Sequence, residues 1–176
     1  MSEIIVMVDE HDNELGFEDR EVCHDGEGIL HRAFMALVID QDNNIILARR
    51  SSSKRLWPMF WDSTVSSHPR KGESYFMAAS RRISEELGIE PVSVEYITRF
   101  HYQVPFMDKG AENELCAILF ARVIGKLNPN PADVSELKKI SFDALSGEFD
   151  RKDNSPWMVL ALQKIVKEGL LQRYLN

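Results

Sequence analysis

The chain is short of several things that would each have pointed to a class of protein. It has two cysteines, Cys23 and Cys116, among 176 residues. That is too few for a disulfide framework and fits a reducing compartment. No long run of either charge occurs, and the formal net charge is −7. A nucleic-acid protein shows a basic patch or stripe, so that partner is not expected. An anionic ligand stays open, because a few local Arg and Lys residues bind phosphate even inside an acidic protein. Apolar stretches such as "ELCAILFARVI" fall far below the roughly 20 residues a membrane helix needs. The opening "MSEIIVMVDEHD" carries acids where a secretory signal has bases. Repeats, low-complexity tracts and linkers are missing as well. With 44% apolar residues the chain has enough to fill one continuous core. The expectation is a single cytoplasmic domain over 1–176, with no membrane partner.

What is present reads as strands around two helices. Glu3 to Val8 forms a strand that runs into an acidic turn. Ala33–Ile39 and Ile45–Ala48 flank "DQDNN", whose Asp and Asn residues favour a tight turn, so this is a hairpin. "LWPMFWDSTV" continues as a loop and then a strand. Ser74 to Leu87 has helical periodicity, with Phe76, Met77, Ala79, Ser80, Ile83 and Leu87 on one side and Gly88 as the stop. "VSVEYITRFHYQVPF" and "ENELCAILFARVI" are two long β-branched and aromatic strands. "NPNPADVSELKKISFDAL" supplies a turn, a short strand and a helical turn. A Ser cap and a Pro at the first helical position open a last helix, 155–173, with an apolar stripe of Trp157, Leu160, Ala161, Ile165 and Leu171. The fold class is α/β of the α+β kind, mostly antiparallel strands with two substantial helices.

Three groups of residues are able to carry chemistry. In "ENE", Glu112 and Glu114 project to one face of a strand about 7 Å apart, and Cys116 continues that face. Either this strand end meets solvent, or the two acids face inward around a cation, since burial is otherwise costly. His24, His31 and His68 each stand beside a turn or strand start. Three imidazoles and two carboxylates form a mixed set suited to Mn, Mg, Fe or Zn at higher coordination, not a thiolate zinc cage. Spacing alone does not make the five converge. On the first helix, Arg81 and Arg82 stand four residues before Glu85 and Glu86. These are either surface ion pairs in the weaker Arg-before-Glu order, or a face offering carboxylates to a divalent ion and a guanidinium to phosphate. Finally, "ARRSSSKRLWP" places Arg49, Arg50, Lys54 and Arg55 after a strand. That is a solvated loop or the rim of a diphosphate pocket.

Taken together these pieces resemble the Nudix superfamily. The usual pattern is Gly, five residues, Glu, seven residues, then Arg-Glu-apolar-x-Glu-Glu-x-Gly-apolar. Here it runs Ser67, Glu73, Arg81, Arg82, Ile83, Glu85, Glu86, Gly88, Ile89. Ser67 replaces the first Gly, and Arg82 replaces a Glu that Nudix hydrolases use to assemble their metal cluster, which counts against pyrophosphohydrolase activity. The chain is similar in particular to type I isopentenyl-diphosphate isomerases. "GILHRAFMALVID", "ARRSSSKRLWP", "SSHP", "RRISEELGI", "YITRFHYQ", "ENELC", "LNPNP" and "SPWM" fall in that family's order and spacing.

The resemblance implies a Nudix fold, sheets sandwiched by helices, with the strand and loop over 1–31 contributing metal ligands. It implies a Mn2+ or Zn2+ site of His24, His31, His68, Glu112 and Glu114, and a Mg2+ carried by the substrate diphosphate and touched by Glu86. Arg50, Lys54 and Arg82 match diphosphate-binding positions, and Arg20 falls where the family usually has Lys. Tyr102 and Trp157 match the aromatics around the carbocation-like intermediate, and Glu114 matches the catalytic glutamate. The implied partner is a small diphosphate.

One departure bears on the chemistry. The family keeps a proton-transferring cysteine two residues before the third histidine, where this chain has Ser66. A thiol titrates near 8.5 and a hydroxyl nearer 15.7, a gap of about 7 units or on the order of 10 kcal/mol. The residues kept for binding a metal and a diphosphate argue for an isomerase, impaired or altered at Ser66. The alternatives are a Nudix hydrolase of a diphosphate or nucleotide, expected to release phosphate, and a non-catalytic binder, expected to hold ligand without turnover.

Overall fold

The computed structural model describes residues 3–171. Nine strands form one sheet: β1 (Ile4–Val8), β2 (Glu14–Asp19), β3 (His31–Ile39), β4 (Ile45–Arg50), β5 (Trp61–Asp62), β6 (Val65–Ser67), β7 (Ser93–Pro105), β8 (Ala111–Arg122) and β9 (Val134–Ile140). The helices are α1 (Arg20–Cys23), α2 (Tyr75–Leu87) and α3 (Pro156–Lys167), and a 3-10 segment covers Phe142–Glu148.

β3 is the axis, and its sequence explains why. Its residues are apolar at nearly every position, as a strand covered on both faces requires. Ala33, Met35, Leu37 and Ile39 enter one core with Trp157, Met158, Ala161, Leu162 and Ile165 of α3. Phe34, Ala36 and Val38 enter a second core with Ala78, Ala79, Ile83 and Leu87 of α2. The sheet is thus sandwiched by helices. Along one edge β3 runs parallel to β8 from His31↔Glu114 to Ile39↔Arg122. Its other edge is shared by β1 at His31, β6 at residues 34–36 and β4 at residues 38–39. The remaining pairings are antiparallel, the longest being β7 with β8.

Several expectations are corrected in detail. The β3–β4 hairpin exists but pairs at two positions only, because β4 takes β9 as its main neighbour. The acidic segment after β1 turns and returns as β2, antiparallel to β1, and α1 follows. On α2, Phe76 and Met77 are exposed, and the small Ala78 and Ala79 face the sheet instead. On α3, Leu160 is 43% exposed, and Met158 and Leu162 complete the buried stripe. That helix ends at Lys167; positions 172 and 173 of the expected span lie outside the described residues. Among the described residues no helix is long and apolar enough to cross a membrane.

Candidate metal centre and active site

Strand register assembles the site. β8 places Glu114 beside His31 on β3 and beside Tyr102 on β7, so three neighbouring strands present one row. Glu112 lies two residues earlier on the same face of β8. His68 follows β6 directly, and His24 caps the C-terminus of α1. α1 is seated on the β7–β8 turn, where Ala111 N–H donates to the His24 carbonyl at 3.0 Å. Gly110 makes that approach possible. Its φ is +128°, and a Cβ there would lie 2.0 Å from the His24 carbonyl oxygen. Arg55 clamps the same corner by donating to the Glu21 and Asp25 carboxylates and the Lys109 carbonyl.

The five side chains converge, for ligand atoms of His24, His31, His68, Glu112 and Glu114 all lie within 4.8 Å of one another. All five are buried. The Nδ1–H of His24 donates to the Arg20 carbonyl at 2.6 Å, and that of His31 to the Ile29 carbonyl at 2.7 Å. A carbonyl only accepts, so both rings carry a proton at Nδ1 and turn Nε2 inward. His24 Nε2 stands 2.8 Å from Glu112 Oε2, and His68 Nε2 stands 3.1 Å from Glu114 Oε1. Tyr102 donates its hydroxyl to Glu114 Oε2 at 2.5 Å. His31 Nε2 and Glu112 Oε2 are buried without an aligned hydrogen-bond partner. Orphaned inward-facing acceptors of this kind are costly, and a divalent cation satisfies them together. The donor set fits such an ion, with imidazoles fixed from behind by backbone carbonyls.

Without a cation, protons carry the balance. Burial disfavours a charged His24, yet the Glu112 carboxylate outweighs it and pushes the imidazole up to about 9. Burial pushes His68 down. Burial opposes charge on Glu114 too, but the His31 and His68 rings hold it well below the usual carboxylate range. Burial, then the Glu114 charge, keeps the Tyr102 phenol and the Cys116 thiol protonated. Burial also pushes Cys23 up to about 11. Neither cysteine offers a thiolate.

The acids and bases open onto a cavity of about 470 Å3 whose lining includes His24, His68, Glu112, Glu114, Tyr102 and Trp157. Ser66, Lys54, Arg50, Arg82 and Arg20 also line it. The cations are already engaged. Arg82 donates to Glu86 at 2.5 and 3.0 Å, to Glu85 at 2.8 Å and to Asp133 at 3.3 Å. Lys54 donates to Asp133 at 2.6 Å. Arg50 grips the Leu56 and Trp57 carbonyls and Asp62, beneath a turn in which Trp57 and Met59 have φ of +45° and +65°. Arg20, partly exposed, pairs with Glu3 and Glu21. Glu86 is therefore not part of the five-residue cluster; it stands behind Arg82 as a counter-ion. Burial pushes its carboxyl up, although Arg82 opposes this.

Two acids escaped the sequence reading. Asp62 is buried and accepts from Trp157 Nε1 at 2.8 Å, Ser155 Oγ at 3.0 Å and Ser66 Oγ at 3.2 Å. Asp133 bridges Lys54 and Arg82. An Asp near Ser, Pro or Asn looks like a turn residue, and no local signal marks it as buried.

Comparison with known proteins agrees with this geometry. Residues 29–162 match the NUDIX domain family. A crystal structure of a Deinococcus radiodurans protein superimposes with a TM-score of 0.73 at 22% identity, over 92% of this chain and 98% of the other. The MutT protein from Methanosarcina mazei does so with a TM-score of 0.66 at 16% identity, over 80% and 95%. These two share the fold of this chain. The isopentenyl-diphosphate Delta-isomerase of Haloarcula marismortui is 37% identical over 91% of this chain and 89% of its own length. That of Paenarthrobacter aurescens is 31% identical over 97% and 94%. The chain belongs to the Nudix superfamily and, within it, to the isopentenyl-diphosphate Delta-isomerase family.

Proposed function

We propose that this protein is a metal-dependent isomerase that interconverts isopentenyl and dimethylallyl diphosphate. One observation carries the reading: Glu114 stands where three imidazoles, a second carboxylate and a phenol converge at the wall of a cation-rimmed cavity. His24, His31, His68, Glu112 and Glu114 would hold the divalent ion, Mn2+ or Zn2+. Bound there, the ion would add positive charge beside the Glu114 carboxylate.

The chain's own groups do the rest. Lys54, Arg82, Arg50 and Arg20 face the diphosphate, which brings its own Mg2+ near Glu86. Tyr102 and Trp157 stack with centroids 6.0 Å apart and planes 19° apart. Their π faces line the cavity and favour positive charge developing on a carbon skeleton held against them. Shifting the double bond means adding a proton at one allylic end and removing one from the other. Glu114, steadied by Tyr102, serves one end of the allylic system, and Ser66, which lines the same cavity, serves the other. Unbonded, buried Cys23 and Cys116 support a reducing, cytoplasmic setting.

Incubation with isopentenyl diphosphate and Mg2+ or Mn2+, followed by proton NMR, tests this reading. Dimethylallyl diphosphate is the expected product. Its complete absence, both in the natural protein and in Ser66→Cys, overturns the proposal. Hydrolysis fits less well, because Glu73 is committed to Arg81 at 2.7 and 2.8 Å while Arg82 holds Glu85 and Glu86. Phosphate release from a diphosphate panel, abolished by Glu86→Gln, would favour it instead. Tight binding without turnover would favour a non-catalytic binder.

A further inference from the structure

We propose that Asp62 holds the proton exchanged on the Ser66 face of the cavity, with the Ser66 hydroxyl as the relay between Asp62 and substrate carbon. The inference rests on the isomerase reading. Isomerisation needs a titratable group on each face, and a serine hydroxyl alone sits about 7 pH units above a thiol. The described cysteines do not fill the gap: Cys116 lies on the Glu114 strand, Cys23 lies outside the cavity lining, and both stay protonated.

What does stand beside Ser66 is a carboxylate. Ser66 Oγ lines the cavity and donates to Asp62 Oδ1 at 3.2 Å, with Ser63 Oγ 2.9 Å away on the other side. Asp62, 3% exposed, lies behind Ser66 and touches substrate only through it. Its Oδ1 also accepts from Ser63 N–H, Trp157 Nε1 and Ser155 Oγ at 2.7, 2.8 and 3.0 Å, and its Oδ2 accepts from Arg50 at 3.1 Å. These donors fix the carboxylate's orientation toward Ser66. Asp62 touches none of the five clustered His and Glu side chains, so its proton traffic is separate from theirs.

The step balances. Glu114 enters the step carrying a proton, gives it to the terminal alkene carbon and returns to the carboxylate that its surroundings favour, leaving positive charge on the tertiary carbon. On the other face an allylic C–H bond breaks, its proton passes to Ser66 Oγ, and the Ser66 hydroxyl proton passes to Asp62 Oδ1. The C–H electron pair becomes the new double bond. One proton has moved from the Glu114 side to Asp62, and exchange with water resets both.

Asp62→Asn tests the idea, since an amide oxygen can still accept from the four donors on Oδ1, while the amide NH2 set against Arg50 neither accepts from it nor stores the proton. Turnover of isopentenyl diphosphate is expected to fall by about 100-fold or more. Ser66→Ala should lose as much. Ser66→Cys in the Asp62→Asn background should restore turnover, because a thiol titrates without a relay; a merely structural Asp62 would leave that double variant as slow as Asp62→Asn. Wild-type turnover in Asp62→Asn, or failure of the rescue, overturns the inference. Should circular dichroism show Asp62→Asn unfolded, Ser66→Ala decides: full turnover overturns the inference and a 100-fold loss supports it. An inactive natural protein defeats the isomerase reading itself, whereas an active one with an active Asp62→Asn defeats only the relay.

Discussion

At one side of the cavity His24, His31, His68, Glu112 and Glu114 bring acceptor atoms together with no Arg or Lys among them. At another side Arg82 and Lys54 meet Glu85, Glu86 and Asp133 in a network that contains its own cations. Both clusters bury carboxylates, but the first leaves Glu112 Oε2 and His31 Nε2 without an aligned hydrogen bond and relies on imidazoles alone, while the second pairs its charges with Arg82 and Lys54. Burial of charge is tolerable only when it is compensated. The first cluster is short of a cation, and the second must exchange carboxylate for phosphate to bind a diphosphate. The contrast marks the first cluster as the candidate for a cation and the second as the candidate for an anion without reference to any relative.

The comparison can be broken most sharply at Glu114. Glu114→Gln keeps the shape and the Tyr102 contact but removes the charge, and turnover should fall on the order of 1,000-fold in steady-state assays. Next, Arg82→Ala strands Glu86 and should destabilise the fold by about 3 kcal/mol in urea unfolding. Glu86→Gln, which leaves Arg82 paired with Glu85 and Asp133, should cost clearly less. Equal costs for the two variants would mean that the second network is not self-compensating.

Metal removal comes third. An ion at about 100 times its Kd adds about 2.7 kcal/mol. For a chain of this length that corresponds to roughly 5–10 °C in Tm. Chelation should therefore lower the melting temperature, and His31→Gln should abolish the difference. An unchanged Tm on chelation of the natural protein would remove the metal centre.

The smallest effect is at Asp133. Burial opposes its charge, but Lys54 and then Arg82 hold its carboxyl below the usual 3.8. A depressed folded-state value stabilises above the unfolded one and is lost as pH falls through the folded one. Asp133→Asn should thus cost about 1 kcal/mol near neutral pH. The gap from the natural protein should close below about pH 4, measured by melts across acid pH. Glu86, pushed up by burial, contributes with the opposite sign, since its ionisation in the fold is the costly state.

Much of this was legible along the chain. The helix from Ser74 to Leu87, its stop at Gly88 and the long β7 and β8 strands all rest on local periodicity and punctuation. The five clustered side chains were nameable because imidazoles and paired acids are few and chemically distinctive. Asp62 was not, because a strand-end Asp and a buried hub for Trp157, Ser155, Ser66 and Arg50 look alike until α3 packs against β5. The commitment of Arg50 to the Leu56 and Trp57 carbonyls was equally invisible, because it depends on how the following loop folds back.

Sequence alone determined the strand and helix periods, the family, and the donor types available for a metal and a diphosphate, since these follow from residue identity and short-range spacing. Tertiary structure alone decided that His31 stands beside Glu114, that Glu86 answers Arg82 instead of joining the imidazoles, and that the Asp62 carboxylate backs the Ser66 hydroxyl. Those facts depend on strand register and on which side chains share a buried space. Both are set by packing among segments far apart in the chain, and no local pattern encodes them.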